Sequence, residues 1–250
     1  MNVYLSLGCL PRADHLSLLG MIHLTEFSEP LLGTISKDKL QICPQNRGQV
    51  TSELLTTIQE KYPTTQFRLH ANVQVLDRAL IIDLSQYATR PDYFNALVDV
   101  HKSLKAPVYT AHAGRREHCS LQKAFENTLD LEQRLGIPVG IEGHYPAINN
   151  MFLMSDWKEY SMLLESSVNY VIDLSHLNIV ARRYGKRVEL VNELVSNPRC
   201  IEVHISHNDG LSDKHLQLDS KPWWWNCLEY INPTADVFTE GSQKESLPHV

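Results

Sequence analysis

Eight short, mostly apolar runs recur along this chain, with amphipathic stretches between them. The runs are Val3–Leu7, Met21–Leu24, Phe67–Leu69, Val108–Thr110, Val139–Ile141, Tyr170–Ile172, Ile201–Ile205 and Asp236–Thr239. Such runs are too short for helices and mostly lack a polar face, the pattern of parallel strands buried on both sides. Between them, Thr51–Lys61, Pro91–Leu104, Leu121–Leu135, Ser155–Glu165 and Val188–Val195 carry apolar residues at spacings of three and four, as helices with one buried stripe do. Ser120 and Ser155 stand where N-caps belong, and Pro91 where a first-turn proline is tolerated. Strands alternating with helices build a parallel sheet with the helices outside, and eight such repeats close it into a barrel. The expectation is an α/β fold: a single (β/α)8 TIM barrel over residues 1–240, its last helix short or missing because only a polar tail, 241–250, follows Glu240. Phe27–Pro44 fits the alternation poorly and reads as an irregular excursion with a short extra strand at Leu40–Ile42. A doubly wound open sheet is the alternative, but no glycine-rich phosphate-binding turn follows any strand.

A length of 250 residues with 43% hydrophobic and 21% charged residues suits one globular enzyme domain. No apolar run approaches the roughly 18 residues of a membrane span. The N-terminal stretch has neither a basic flank nor a small-residue cleavage site and reads as a first strand and helix, which gives a cytoplasmic expectation. Lysine and arginine total 23 against 29 acidic residues, a net charge of −6, which weighs against a phosphate-backbone binder. Five cysteines without a CxxC spacing predict reduced, mostly buried thiols.

The functional signal lies where the strands end. In a parallel barrel the carboxyl ends of the strands form one mouth, where active sites sit. FRLH ends in His70, VYTAH in His112, VGIE in Glu142 and DVFTE in Glu240; YVIDLSH carries Asp173 and His176, IEVH carries His204, and the loop beyond it carries Asp213 and His215. A single histidine at a strand end is more often a hydrogen-bonded structural residue than a ligand. Four carboxylates on one mouth, however, repel one another unless cations intervene. Imidazole with carboxylate suits iron, zinc, manganese or cobalt, and without a cysteine among them a structural zinc–thiolate site does not fit. Nine side chains exceed the needs of one ion and suit two or three, with Glu142 bridging. The plainer alternative is one metal on Glu142, Asp173, His204 and Glu240, the rest binding substrate. His144 and Tyr145, just after Glu142, are candidate substrate contacts, as is Trp223, one of three consecutive tryptophans. His207, Asn208 and Asp209 are expected to support the site by hydrogen bonds.

The segments RLHA, TAHAG, IEG, DLSH, VHISHNDG, DKH and FTEG, in this order between His70 and Glu240, resemble the xylose isomerase-like TIM barrels. These include endonuclease IV, sugar isomerases and epimerases, and multinuclear non-haem iron oxidases. The resemblance to endonuclease IV implies three ions: one on His70, His112 and Glu142, a second on Glu142, Asp173, His204 and Glu240, a third on His176, Asp213 and His215. The epimerases imply only the second set, with a pair of acids moving a proton. EGHYPAI and DLSHLNIVARRYGK resemble the iron oxidases, whereas the glycine element that follows the loop in many sugar enzymes is absent from HLQLDSKPWWWNCLEYI. Arg115–Arg116, Arg182–Arg183 and Lys186–Arg187 read as solvated helix ends, and loops between motifs look too short to hold bent DNA.

The favoured expectation is therefore an oxidoreductase with a di- or trinuclear site, iron first and zinc or manganese as alternatives, with Glu142, Glu240 and His176 catalytic. Its substrate would be a peptide or small thiol, with a partner protein presenting a peptide, and nucleic acid is not expected. The alternatives are a divalent-metal-dependent sugar isomerase or epimerase, with Glu142 and Glu240 shuttling a proton, an endonuclease IV-like phosphodiesterase, and a barrel that binds metal without activity.

Overall fold

A computed structural model describes residues 1–246. Eight parallel strands form the barrel: β1 (Val3–Ser6), β2 (Ser36–Ile42), β3 (Gln66–Leu69), β4 (Tyr109–His112), β5 (Val139–Glu142), β6 (Asn169–Asp173), β7 (Cys200–Ile205) and β8 (Asp236–Thr239). Their hydrogen-bonded order is β3-β2-β1-β8-β7-β6-β5-β4. Closure is nearly complete. No ladder joins β3 to β4, but a side-chain hydrogen bond of 2.9 Å between His70 and Thr110 crosses that seam. The registers align the ends of the strands: His112 pairs with Glu142, and Asp173 with His204.

Seven helices surround the strands: α1 (His15–Leu24), α2 (Ser52–Lys61), α3 (Pro91–Leu104), α4 (Leu121–Leu135), α5 (Trp157–Glu165), α6 (Leu174–Tyr184) and α7 (Val188–Ser196). Thr51 and Ser120 cap α2 and α4 through their hydroxyls, each satisfying an otherwise orphaned N–H. Their buried stripes, such as Leu121, Ala124, Phe125, Thr128 and Leu131 of α4, pack on the barrel. No helix is long and apolar enough to cross a membrane.

Three local expectations are corrected. Met21–Leu24 is not a strand but the last turn of α1, whose start Asp14 caps by accepting from the Ser17 N–H at 3.0 Å. The second barrel strand is Ser36–Ile42 instead. Its first half is polar and partly exposed and only Leu40–Ile42 is buried, so the apolar signal covered its end alone. The N-cap of α5 is Asp156, not Ser155; the Ser155 hydroxyl instead lies among Asn150, Phe152 and Arg116. Residues 174–184, for which no element is expected, form α6, capped by Asp173.

Two helices are missing from the eightfold pattern among the described residues. The long connection 206–235 between β7 and β8 carries only the 3-10 turn Trp225–Tyr230, so the loops are not uniformly short. After β8 only the 3-10 turn Lys244–Ser246 follows, and residues 247–250 of the polar tail lie outside the described residues.

Candidate metal centre

All nine candidate ligands meet at the carboxyl ends of the strands. His112, Glu142 and Asp173 are the last residues of β4, β5 and β6, and His70 and Glu240 directly follow β3 and β8. His204 is the last residue but one of β7, His176 lies in the first turn of α6, and Asp213 and His215 come in on the β7–β8 connection. Three groups each bring donor atoms within 4.8 Å of one another: His70, His112 and Glu142; His70, His204 and Glu240; and Glu142, Asp173 and His176. Asp213 joins through His176 Nε2 at 3.4 Å and His215 Nε2 at 2.8 Å, and His215 Nδ1 stands 3.5 Å from Glu240. The grouping differs from the expected three sets, because His70 serves two clusters and His176 reaches Asp173 as well as Asp213.

The hydrogen bonds fix which nitrogen each imidazole turns inward. His176 Nδ1 lies 2.9 Å from the Gly143 carbonyl, which can only accept, so Nε2 is left facing Asp173 and Asp213. His204 Nε2 donates to Glu202 at 2.8 Å and leaves Nδ1 facing Glu142 at 3.4 Å and Glu240 at 3.7 Å. His70 Nδ1 donates to the Thr110 hydroxyl, whose own proton goes to Glu202 at 3.3 Å, leaving Nε2 3.4 Å from Glu142. One buried carboxylate thus orients two imidazoles, directly and through a hydroxyl. Such outer partners set the tautomer and orientation of ligating histidines.

Glu202 is the functional residue that reading the strand ends misses. It is fully buried and also accepts from Gln41 at 2.7 Å and Arg68 at 2.9 Å. Arg68 in turn pairs with Asp236. The signal was present in IEVH and FRLH, since alternate residues of a strand share a face. Glu202 must face inward with His204, and Arg68 with His70.

A bound metal fits these residues. The Glu142 Oε2, Asp173 Oδ2 and His204 Nδ1 atoms, at or near the ends of the neighbouring strands β5, β6 and β7, are buried and have no hydrogen-bond partner. Three buried polar atoms left without partners on neighbouring strand ends are an arrangement that burial penalises unless a cation completes it. Without metal the centre resolves its charges internally. Burial opposes the charge on His204, but Glu142 and Glu240 outweigh it and hold this imidazole well above the usual range. For His176, Asp173 and Asp213 likewise outweigh burial. Glu142 is held well below the carboxylate range by His204, His112 and His70 despite its burial. Burial dominates at Glu240, pushed up to about 7, and at His70, pushed down to about 3. His215 rises to about 9, as Asp213 and Glu240 overcome its burial.

The cavity over these groups has a volume of about 210 Å³ and is lined by seven of the nine, all but Asp173 and His204, together with His144, Tyr145, Phe152 and Cys43. His144 stacks on Phe152 with ring centres 4.3 Å apart, and the Tyr145 ring lies 4.9 Å from that of His176. Trp223 does not line the cavity. Its indole donates to Asn178 of α6 at 2.9 Å, while Trp224 is fully buried in the core and Trp225 lies in a separate pocket beside Met1 and Val237. Asn208 braces α6 through the Ser175 carbonyl and Asn178. Of the arginines, Arg182 and Arg183 occupy the last turn of α6 as expected. Arg115 and Arg116, by contrast, lie in the loop between β4 and α4, where Arg116 clamps Glu159 at the start of α5.

No protein-family model and no curated protein matches the sequence. Solved structures do match. A D-tagatose 3-epimerase-like protein superposes with a TM-score of 0.68 at 16% identity, over 98% of this chain and 91% of its own. A xylose isomerase domain protein from Salmonella typhimurium gives 0.62 at 12%, over 98% and 92%. The chain has the xylose isomerase-like barrel fold. A family 2 AP endonuclease from Brucella melitensis shares it with a TM-score of 0.55 at 12% identity, over 82% of each chain. At these identities the likeness establishes the fold of this xylose isomerase-like barrel and not its reaction.

Proposed function

We propose that this xylose isomerase-like barrel is a divalent-metal-dependent isomerase or epimerase of a small polyhydroxylated carbonyl compound. The observation that carries this reading is the pair Glu142 and Glu240. Both carboxyls flank His204 Nδ1, at 3.4 and 3.7 Å, and in the metal-free chain one is held ionised while the other is pushed up to about 7. Two titratable groups driven apart by their surroundings are the means of running base and acid chemistry in one site. Moving a proton at carbon needs that pair: Glu142 removes the proton next to the carbonyl, and Glu240 returns one. A divalent ion held by Glu142, Asp173, His204 and Glu240 would supply a Lewis acid for the substrate's oxygens. His144 and Tyr145 wall the cavity against water and present a ring and a hydroxyl to the ligand. The cavity of about 210 Å³ suits a small molecule. The epimerase-like neighbour also superposes over more of both chains than the endonuclease does.

The test is solvent exchange. The chain loaded in turn with manganese, cobalt, magnesium and zinc is incubated in D2O with a panel of ketoses and aldoses. One deuteron is expected at the carbon beside the carbonyl of a turned-over sugar, read by mass spectrometry. Glu240→Gln should slow that exchange about a hundredfold or more. Absence of exchange across the panel and all four metals sinks the reading.

A second reading rests on His176, Asp213 and His215, which the four-ligand site does not require. Their convergence favours two or three ions, as in an iron oxidase acting on a peptide or small thiol, with or without a partner protein, or in a phosphodiesterase. Elemental analysis and an optical spectrum of anaerobically purified protein separate these readings. One manganese or cobalt per chain goes with isomerisation, iron near two or three with oxidation, and zinc near three with nicking of an abasic duplex.

A further inference from the structure

The small cavity opens into a much larger groove of about 640 Å³; His112, His144 and Phe152 belong to the walls of both. The groove is two-faced. One wall is apolar, with Leu80 and the strongly exposed Ile81 (78%) on an irregular segment before α3. The other features are three guanidinium side chains, Arg12, Arg47 and Arg115, on a chain whose net charge is −6.

The placement of these arginines is built by the loops. Arg12 follows β1 and Arg47 follows β2, and the two loops are tied by a backbone bond of 2.8 Å from Arg47 N–H to the Ala13 carbonyl. Arg115 follows β4, its backbone held by the Ser85 hydroxyl at 3.1 Å and by bridging to Phe152. Arg12 and Arg47 make no ion pair among the described residues, and Arg115 has only an exposed contact with Glu117 at 3.2 Å. Asp83 is the one carboxylate on the groove, and it is turned inward to Ser85. Guanidinium groups left uncompensated beside an apolar wall fit an organic anion, because each presents a fork of donors matched to phosphate or carboxylate oxygens.

We propose that the groove is the subsite for an anionic end group, so that the ligand carries its reacting carbonyl in the metal cavity and a phosphate or carboxylate between Arg12, Arg47 and Arg115. This rests on the small-carbonyl reading above and narrows it to substrates with an oxyanion at the end remote from the metal.

The experiment measures binding and not turnover, so it stands apart from the exchange assay. The full-length metal-loaded chain is titrated calorimetrically with fructose 6-phosphate, glucuronate, fructose and an abasic DNA duplex. The phosphorylated or the carboxylated sugar is expected to bind about tenfold or more tightly than fructose, and the stronger of the two identifies the end group. In Arg12→Gln/Arg47→Gln, and separately in Arg115→Gln, that preference should fall by about tenfold while metal content and Tm stay at wild-type values. Raising the salt concentration should shrink the preference in wild type, as for any exposed charge contact. Equal affinity for fructose and both anions, absence of binding by all three sugars, a preference that survives both variants, or tighter binding of the duplex than of either anion would each overturn the proposal. Preferential anion binding without deuterium exchange on any sugar would leave the subsite standing and remove the isomerase reading alone.

Discussion

At the scale of single residues, Glu202 ties the chemistry of the mouth to the interior of the barrel. It accepts a hydrogen bond from His204, shares the Thr110 hydroxyl with His70, and balances the buried guanidinium of Arg68. Replacing it with glutamine keeps the shape but removes the charge. One side of the new amide must then donate where every neighbour already donates. Glu202→Gln is expected to weaken metal affinity by about 10–100-fold, as loss of an outer carboxylate on a ligating histidine does. It should also lower stability by about 3–5 kcal/mol in the metal-free form, since Arg68 keeps only Asp236. A chelator-competition titration reads the first effect and a denaturant melt the second. Unchanged metal affinity in a folded variant would show that His204 does not depend on this bond.

At the scale of elements, the fit of β5 against α5 decides where the metal-facing groups point. Gly143 follows β5, and a Cβ there would overlap the hydroxyl end of Tyr160 on α5. That hydroxyl donates to the His144 carbonyl at 2.8 Å, and the Gly143 carbonyl accepts from His176. The strand end, the helix and two histidines thus share one close approach, which explains glycine at this position better than any turn requirement. Gly143→Ala is predicted to cost about 1–3 kcal/mol by overpacking. It should also displace His144 and His176, so metal content falls along with stability. Differential scanning calorimetry with metal analysis checks both; a variant as stable and as fully loaded as wild type would show that Tyr160 moves aside freely.

At the scale of the whole molecule, burying this many titratable groups at one end makes stability depend on pH and on metal together. His176, His204 and His215 are held above the usual imidazole range by their carboxylates, His215 at about 9, and Glu240 is pushed up to about 7. Above about pH 7.5, where unfolded histidines are largely neutral, and up to 9, the folded chain therefore holds more protons than the unfolded chain, and stability must fall as pH rises. His15, His23, His70, His101, His112 and His144, shifted down by burial, oppose this trend near pH 6.5, where they are still partly protonated in the unfolded chain, but are close to neutral in both states above about pH 7.5. The chelator-treated protein is expected to lose several degrees of Tm from about pH 7.5 to 9. A metal ion competes with those protons, so its stabilisation should grow over the same range. A Tm that is flat or rising for the metal-free chain would mean that the three imidazoles are not charged in the folded state.

The alternation of apolar and amphipathic runs carried the barrel, and the residues closing each strand carried the site. Both are periodic, local properties: buried parallel strands must be apolar, and side chains at their carboxyl ends must share a mouth. Locally ambiguous segments were decided only by tertiary structure. Met21–Leu24 is apolar enough for either element and became helix because Asp14 starts α1 ahead of it. Ser36–Lys39 is too polar to read as strand and became one because β1 and β3 supply hydrogen bonds on both sides. Which imidazole nitrogen faces inward, how nine ligands divide into overlapping clusters, and that three arginines from separate loops border one groove all depend on residues far apart in the chain. No window of sequence contains those contacts, and only the closed barrel brings them together.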